Sequence, residues 1–104
     1  MTQREAIGVA RALRSTSITD DILARFLSEL EGRVAIELHG DLDWQDTGRL
    51  EIPHPYEQVY WCYLIAMLDL VEGKEAMYKL SYPLFCHAYE AYAKYCRRNR
   101  GSDA

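Results

Sequence analysis

Nothing in this chain of 104 residues is spaced like a zinc site or a disulfide framework. The cysteines, Cys62, Cys86 and Cys96, are odd in number, and no two stand together as in C-x-x-C. All three fall in apolar helical stretches, so buried free thiols in a reducing compartment are expected, with no metal and no other cofactor. Long apolar runs are missing too. The longest nearly uncharged stretch, Gln58 to Leu68, is too short to cross a bilayer, and the opening MTQREAIG has no apolar signal region. No membrane contact is expected, and the chain is expected to be cytosolic when made.

Positive charge is also outnumbered, with 12 Lys and Arg against 16 Asp and Glu. The net charge of −4 argues against general nucleic-acid binding, which needs a basic surface. Catalytic patterns are absent: no HExxH, no glycine-rich phosphate loop, no GxSxG. A carboxylate-bridged metal site in a helical bundle needs two Glu-x-x-His motifs. His39, His54 and His87 lie in different segments, and the nearest pattern, His87-x-x-Glu90, reads as a surface pair. Cys86 precedes His87, but adjacent helical residues point about 100° apart, so they do not form a nucleophile and base. Asp41, Asp43 and Asp46 begin like a calcium loop, yet the glycine and closing glutamate are not at the required spacing. A solvated acidic loop is the better reading, and no enzyme is expected.

What the chain does have is apolar content and tyrosine. The apolar fraction of 49% is ordinary for a folded domain, and the length fits one domain with a modest core. All eight tyrosines lie between Tyr56 and Tyr95. Tyr56, Tyr60 and Tyr63 step by four and three, extended by Met67 and Leu70. Tyr78, Tyr82, Phe85, Tyr89, Tyr92 and Cys96 step the same way. Such spacing lines one face of a helix. It fits either a helix pair packing its rings inside a monomer or a surface shared between core and subunit contact.

The periodicity predicts an all-α bundle of about four helices. Helix 1 covers residues 1–14, opened by the Thr2-x-x-Glu5 capping box, with Ala6, Ile7, Ala10 and Leu13 on one face. Helix 2 covers 19–39, with Asp20 and Asp21 in its first turn and a stripe of Ile22, Leu23, Phe26, Leu27, Leu30, Val34 and Leu38. Gly40 is its expected left-handed terminator. Gly32, inside it, marks either a tolerated exposed glycine or the close approach of another helix. Helix 3 covers 55–72, starting at Pro55, and is apolar almost all round except for Asp69, as a central helix would be. Helix 4 covers 74–99, with a second face of Met77, Ser81, Leu84, Ala88, Ala91 and Tyr95. Pro83 is expected to kink or break it, and Gly101 to end it.

A long connector, residues 40–54, joins helices 2 and 3. Its Arg49-Leu50-Glu51-Ile52 alternation fits a short strand, which needs a partner, such as one from another subunit. Trp44 reads either as a ring folded back onto the helix ends or as a partner anchor. Arg97, Arg98 and Arg100 read as a solvated helix end or as the mate of an acidic loop on a neighbour. Trp44, Arg49, Leu50, Glu51, Ile52, Arg97, Arg98 and Arg100 are therefore the candidate subunit and partner interface. The connector is expected to be mobile until a neighbour packs on it.

Taken in order, the REAI of the first helix, "LSELEGRVAIEL", the polar connector and "LEIPHPYEQVYWCYLIAMLDLVEGKEAMYKLSYPLFCHAYEAYAKYCRRNR" resemble a known family. It is that of the small head–tail connector proteins, also called adaptor or head-completion proteins, of tailed phages and prophages of Gram-positive bacteria. The resemblance covers nearly the whole chain. It rests on Leu27 to Arg33, on Pro55-Tyr56-Glu57, on Tyr60 to Asp69, and on Tyr78, Phe85, Tyr89, Tyr92 and Arg97. The chain departs from the family at His54, Lys79, Cys86 and Pro83.

The resemblance implies a small helical bundle and a place in the virion neck, reached by assembly in the host cytoplasm. It implies a ring, typically of twelve subunits, that can stay monomeric until assembled. That ring meets the portal protein and the next neck or tail protein, and DNA passes through it without sequence-specific binding. The alternative is a monomeric or dimeric helical protein-binding or regulatory module.

Overall fold

The computed structural model describes the backbone through Ser102 and the side chains through Asn99. Four helices follow one another: α1, Gln3–Leu13; α2, Asp20–Glu37; α3, Gln58–Val71; and α4, Glu75–Ser102. No strand occurs among the described residues, so the fold is an all-α bundle with a long irregular connector between α2 and α3.

Helix α1 starts where its capping box places it. The Glu5 amide donates to Thr2 Oγ1 at 3.1 Å, and the Thr2 amide donates to Glu5 Oε1 at 2.9 Å. Ala6, Ile7 and Ala10 bury its apolar face, but Leu13 at the last turn is exposed. Arg11 then holds the link to α2, donating to the Ile18 carbonyl at 2.6 Å and pairing with Asp20. Along α2 the buried line is Leu23, Leu27, Leu30, Val34 and Leu38. Ile22 and Phe26 lie at the edge of that stripe, exposed and half-buried, because the face turned to the core is narrower than the apolar one. Gly40, at φ +69°, turns the chain as expected.

Helix α3 begins three residues after Pro55. The segment before it is a turn with a cis His54–Pro55 peptide, closed by the Tyr56 amide on the Pro53 carbonyl at 2.9 Å. Proline at 55 therefore belongs to the turn and not to the first helical position. The helix packs against α1, α2 and α4 and so lies at the centre of the bundle. Val59, Tyr60, Leu64, Ala66, Leu68 and Asp69 are buried. Trp61, Cys62, Tyr63, Ile65 and Met67 are half-buried, and Gln58 at the start and Leu70 and Val71 in the last turn are exposed, the last two by about half.

Helix α4 runs unbroken through Pro83 and one residue beyond Gly101, to Ser102. Lys79, whose carbonyl loses its usual donor, and Pro83 are both exposed, so the freed group lies on a side of the helix open to solvent and needs no protein partner. Its buried line is Ser81, Phe85, Ala88, Tyr92 and Cys96. The expected second face divides accordingly: Ser81 and Ala88 are buried, whereas Leu84 and Ala91 are exposed.

The two tyrosine series meet each other inside one chain. Tyr63 packs on Phe85 with ring centroids 5.0 Å apart, and Tyr56 packs on Tyr95 at 4.9 Å. Tyr89 bridges to α2: its hydroxyl donates to Glu37 at 2.7 Å, and Arg33 lies over its ring at 4.7 Å. Contact with Glu37 and burial together push the Tyr89 hydroxyl pKa up to about 12, burial being the larger cause. Most of the tyrosine pattern is thus core.

Candidate assembly surface

The connector has two halves with different anchoring. Residues 49–54 are tied to the chain's own core. The Glu51 amide donates to Glu31 Oε1 at 3.1 Å, and the Ile52 amide donates to the Tyr60 hydroxyl at 2.7 Å. That hydroxyl in turn donates to Glu31 Oε2 at 2.6 Å. Two of the four backbone donors that a lone strand would leave open are therefore met by side chains of α2 and α3, and the Arg49 amide donates to Thr47 Oγ1. Arg49–Ile52 forms no strand, and its Glu51 and Ile52 amides find their acceptors within the chain. Ile52 is only 2% exposed and belongs to the core, and Leu50 is half-buried against it. The expectation of a mobile segment is corrected for this half, because its amides and its isoleucine are fixed from α2 and α3.

Trp44 anchors the other half, again internally. A Cβ built at Gly32 would lie 2.8 Å from the Trp44 ring, so the ring packs flat against the α2 backbone. Close approach does explain Gly32, but the approaching group is the connector's indole and not another helix. Trp44 is thus the ring folded back, half-buried on its own subunit. Around it the loop holds itself with short turns: the Asp43 amide on Asp41 at 3.2 Å and the Gly48 amide on Asp46 at 2.9 Å.

This folding leaves Leu42 at the tip, 80% exposed, between the exposed Asp41 and Asp43. Sequence periodicity had no means of marking it, since a single leucine in a polar loop belongs to no stripe. Arg49 is exposed beside Glu51, with 4.0 Å between their charged groups.

The basic end lies apart from these acids. Arg97 pairs with Glu90 of its own helix at 2.9 Å, and Arg98 is exposed. With Tyr56, Ala91 and Lys94 they line a shallow cleft of about 370 Å³. The Arg100 side chain lies outside the described residues. Among the described residues no ion pair joins the connector's aspartates to Lys94, Arg97 or Arg98.

Two further apolar places are open to solvent. Leu80 and Leu84, one turn apart on α4, are 73% and 64% exposed. Ile18, Ile22, Phe26 and Val71 line an open groove of about 900 Å³ at the α1–α2 link. Both places face away from the bundle's centre.

Chemistry of other kinds finds little footing. Cys62 is half-buried, Cys96 is buried, and Cys86 is exposed, against the expectation that all three are buried. No group of three His, Cys, Asp or Glu converges as a metal would require among the described residues, and no helix is long and apolar enough to cross a membrane. His39 instead bonds the Tyr92 hydroxyl, and His54 lies 3.2 Å from Glu57.

Glu31 is the most unusual carboxylate of this region. Burial pushes its pKa above the ordinary 4.5, against the opposing pull of the hydrogen bonds from Tyr60 and the Glu51 amide. A carboxyl with a raised folded value stabilises most when it is neutral in both states, below pH 4.5, and that contribution is lost as pH rises through the folded value. The stability of the wild type relative to Glu31→Gln should therefore fall as pH rises from 4.5. Urea titrations of both proteins across pH 4–8 measure it, and a difference that rises with pH would contradict the assignment.

Comparison with protein-family models, with curated proteins and with solved structures gives no match to this chain.

Proposed function

We propose that this chain is a structural subunit of a phage neck, forming a ring under the portal that extends the DNA channel and joins head to tail. The observation that carries the reading is apolar surface left open in unlike places on one chain: Leu80 with Leu84 on α4, and the Ile18–Ile22–Phe26–Val71 groove. Exposed apolar residues gathered in this way mark contact surfaces. A ring needs two different faces per subunit, one given and one received, whereas a two-fold dimer needs one self-complementary face.

The sequence pattern resembling the connector family supports the same reading. Its Leu27 to Arg33 block contains Glu31 and Gly32, the residues that seat the connector. A net charge of −4 suits a channel through which DNA slides, because neutralising phosphates is what would hold DNA. No catalytic role is part of the proposal.

The test is co-expression with a phage portal protein, followed by affinity purification and electron microscopy. The expected result is a closed ring of this chain on one end of the portal. A folded protein that never associates with the portal, but binds some other single protein as a monomer or dimer, would replace this reading by that of a helical binding module.

A further inference from the structure

We infer that the exposed tip Asp41-Leu42-Asp43 of one copy docks into the cleft formed by Tyr56, Ala91, Lys94, Arg97 and Arg98 of the next. The tip is an apolar side chain, 80% exposed, held between two carboxylates. The cleft, of about 370 Å³, has Tyr56 and Ala91 in its wall and three cationic side chains around it. Shape and charge are complementary: a leucine enters against the tyrosine, the alanine and the aliphatic stems of the cations, while the aspartates meet their charged heads.

Folding supplies the reason that this tip is offered. Trp44 and Ile52, the larger apolar groups of the connector, are consumed by Gly32 and by the core, and the Glu31–Tyr60 pair fixes the chain behind the tip. Leu42 is left projecting from an anchored loop. An anchored loop loses little freedom on docking, so more of its contact free energy appears as affinity.

The same chain does not satisfy its own cleft. Arg97 is engaged by Glu90 on its own helix, and no described ion pair reaches Lys94 or Arg98 from the connector. Tip and cleft are different surfaces, so the contact runs head to tail and can propagate from copy to copy. It rests on the neck reading only in that copies of this chain meet.

The test is a charge exchange on the full chain. One variant carries Asp41→Lys with Asp43→Lys, a second carries Lys94→Glu with Arg98→Glu, and a third carries Leu42→Asp. Self-association is measured by sedimentation velocity at low salt and up to millimolar protein, with circular dichroism to confirm folding. The two charge variants are each expected to lose about tenfold or more in association constant. Mixing them should restore it, since each then offers the other a matching tip and cleft. Leu42→Asp should weaken self-association, and mixing it with Asp41→Lys/Asp43→Lys should restore nothing. Mixing it with Lys94→Glu/Arg98→Glu should restore a single contact, since the native tip of the latter meets the native cleft of the former. Added salt should weaken the wild type.

Wild type that stays monomeric, or variants that associate as it does, or a mixture that regains nothing, would each overturn the contact. Portal binding is scored separately on the same proteins. A ring on the portal that survives all three changes removes this contact and leaves the neck reading standing. A restored mixture that ignores the portal does the reverse.

Discussion

Replacing Arg14 by alanine is expected to destabilise the fold by about 3–5 kcal/mol. The Asp69 side chain is fully buried on α3, and Arg14, just past the end of α1, holds both its oxygens, at 3.0 and 3.1 Å. Ser81 of α4 donates to the same carboxylate at 2.7 Å. Burial alone would raise the Asp69 pKa, but the hydrogen bonds from Arg14 and Ser81 and the Arg14 charge outweigh it and hold the group below its ordinary 3.8. In the wild type, therefore, Asp69 contributes stability that is present above pH 3.8 and is lost as pH falls through the lower folded value.

Without Arg14 the balance reverses. A buried carboxylate is left with one neutral donor, its folded pKa rises, and stability then declines as pH rises. Adding Asp69→Asn to Arg14→Ala should recover part of the loss, because no buried charge remains. Denaturant titrations at pH 5 and pH 8 decide it. A loss below about 0.5 kcal/mol at pH 8, typical of surface sites, or no recovery in the double variant, would show that the pair is incidental.

The Asp69 contact also marks where sequence reading ends. The apolar run of α3 made Asp69 stand out, and a charged residue on a central helix must be paired. Its partner is 55 positions away at a helix end, where no local spacing points to it. Helices themselves were legible because their signals are local. The Thr2 box and Gly40 act within a few residues, and Gly40 adopts the left-handed conformation its position requires. Pro55 misled by three residues because proline serves a turn as well as a helix start. Pro83 misled as to a break because the carbonyl it frees lies on the solvent side.

The candidate surface was legible only in outline. The basic end of α4 and the connector both stood out as composition, yet their organisation depends on tertiary contacts. Trp44 was visible as an unusual residue and Gly32 as an unusual helical position. That each explains the other is a fact of packing. Ile52 changed from candidate interface to core through Tyr60 and Glu31, two residues whose polar atoms lie at the centre of an otherwise apolar stripe. Polar atoms on a buried face are the one sequence signal that would have predicted an internal partner for the connector.

Leu64→Ala or Leu68→Ala is expected to destabilise the bundle by about 2–5 kcal/mol. Both side chains are fully buried on α3, the helix that touches each of the other three. Deleting either leaves a void that cannot close by the movement of a single neighbour, because α1, α2 and α4 are held to α3 and to each other. Arg14–Asp69 links the end of α1 to α3, Ser81 extends that link to α4, and Tyr89–Glu37 joins α4 to α2. A site that collapses poorly lies toward the upper part of the range. Leu70→Ala is the matched control: the same atoms are removed from the same helix at a position about half exposed, and a loss below about 1 kcal/mol is expected. Chemical denaturation of the three variants measures the contrast. If Leu64→Ala and Leu68→Ala lose no more than Leu70→Ala, α3 is not the central helix of this fold.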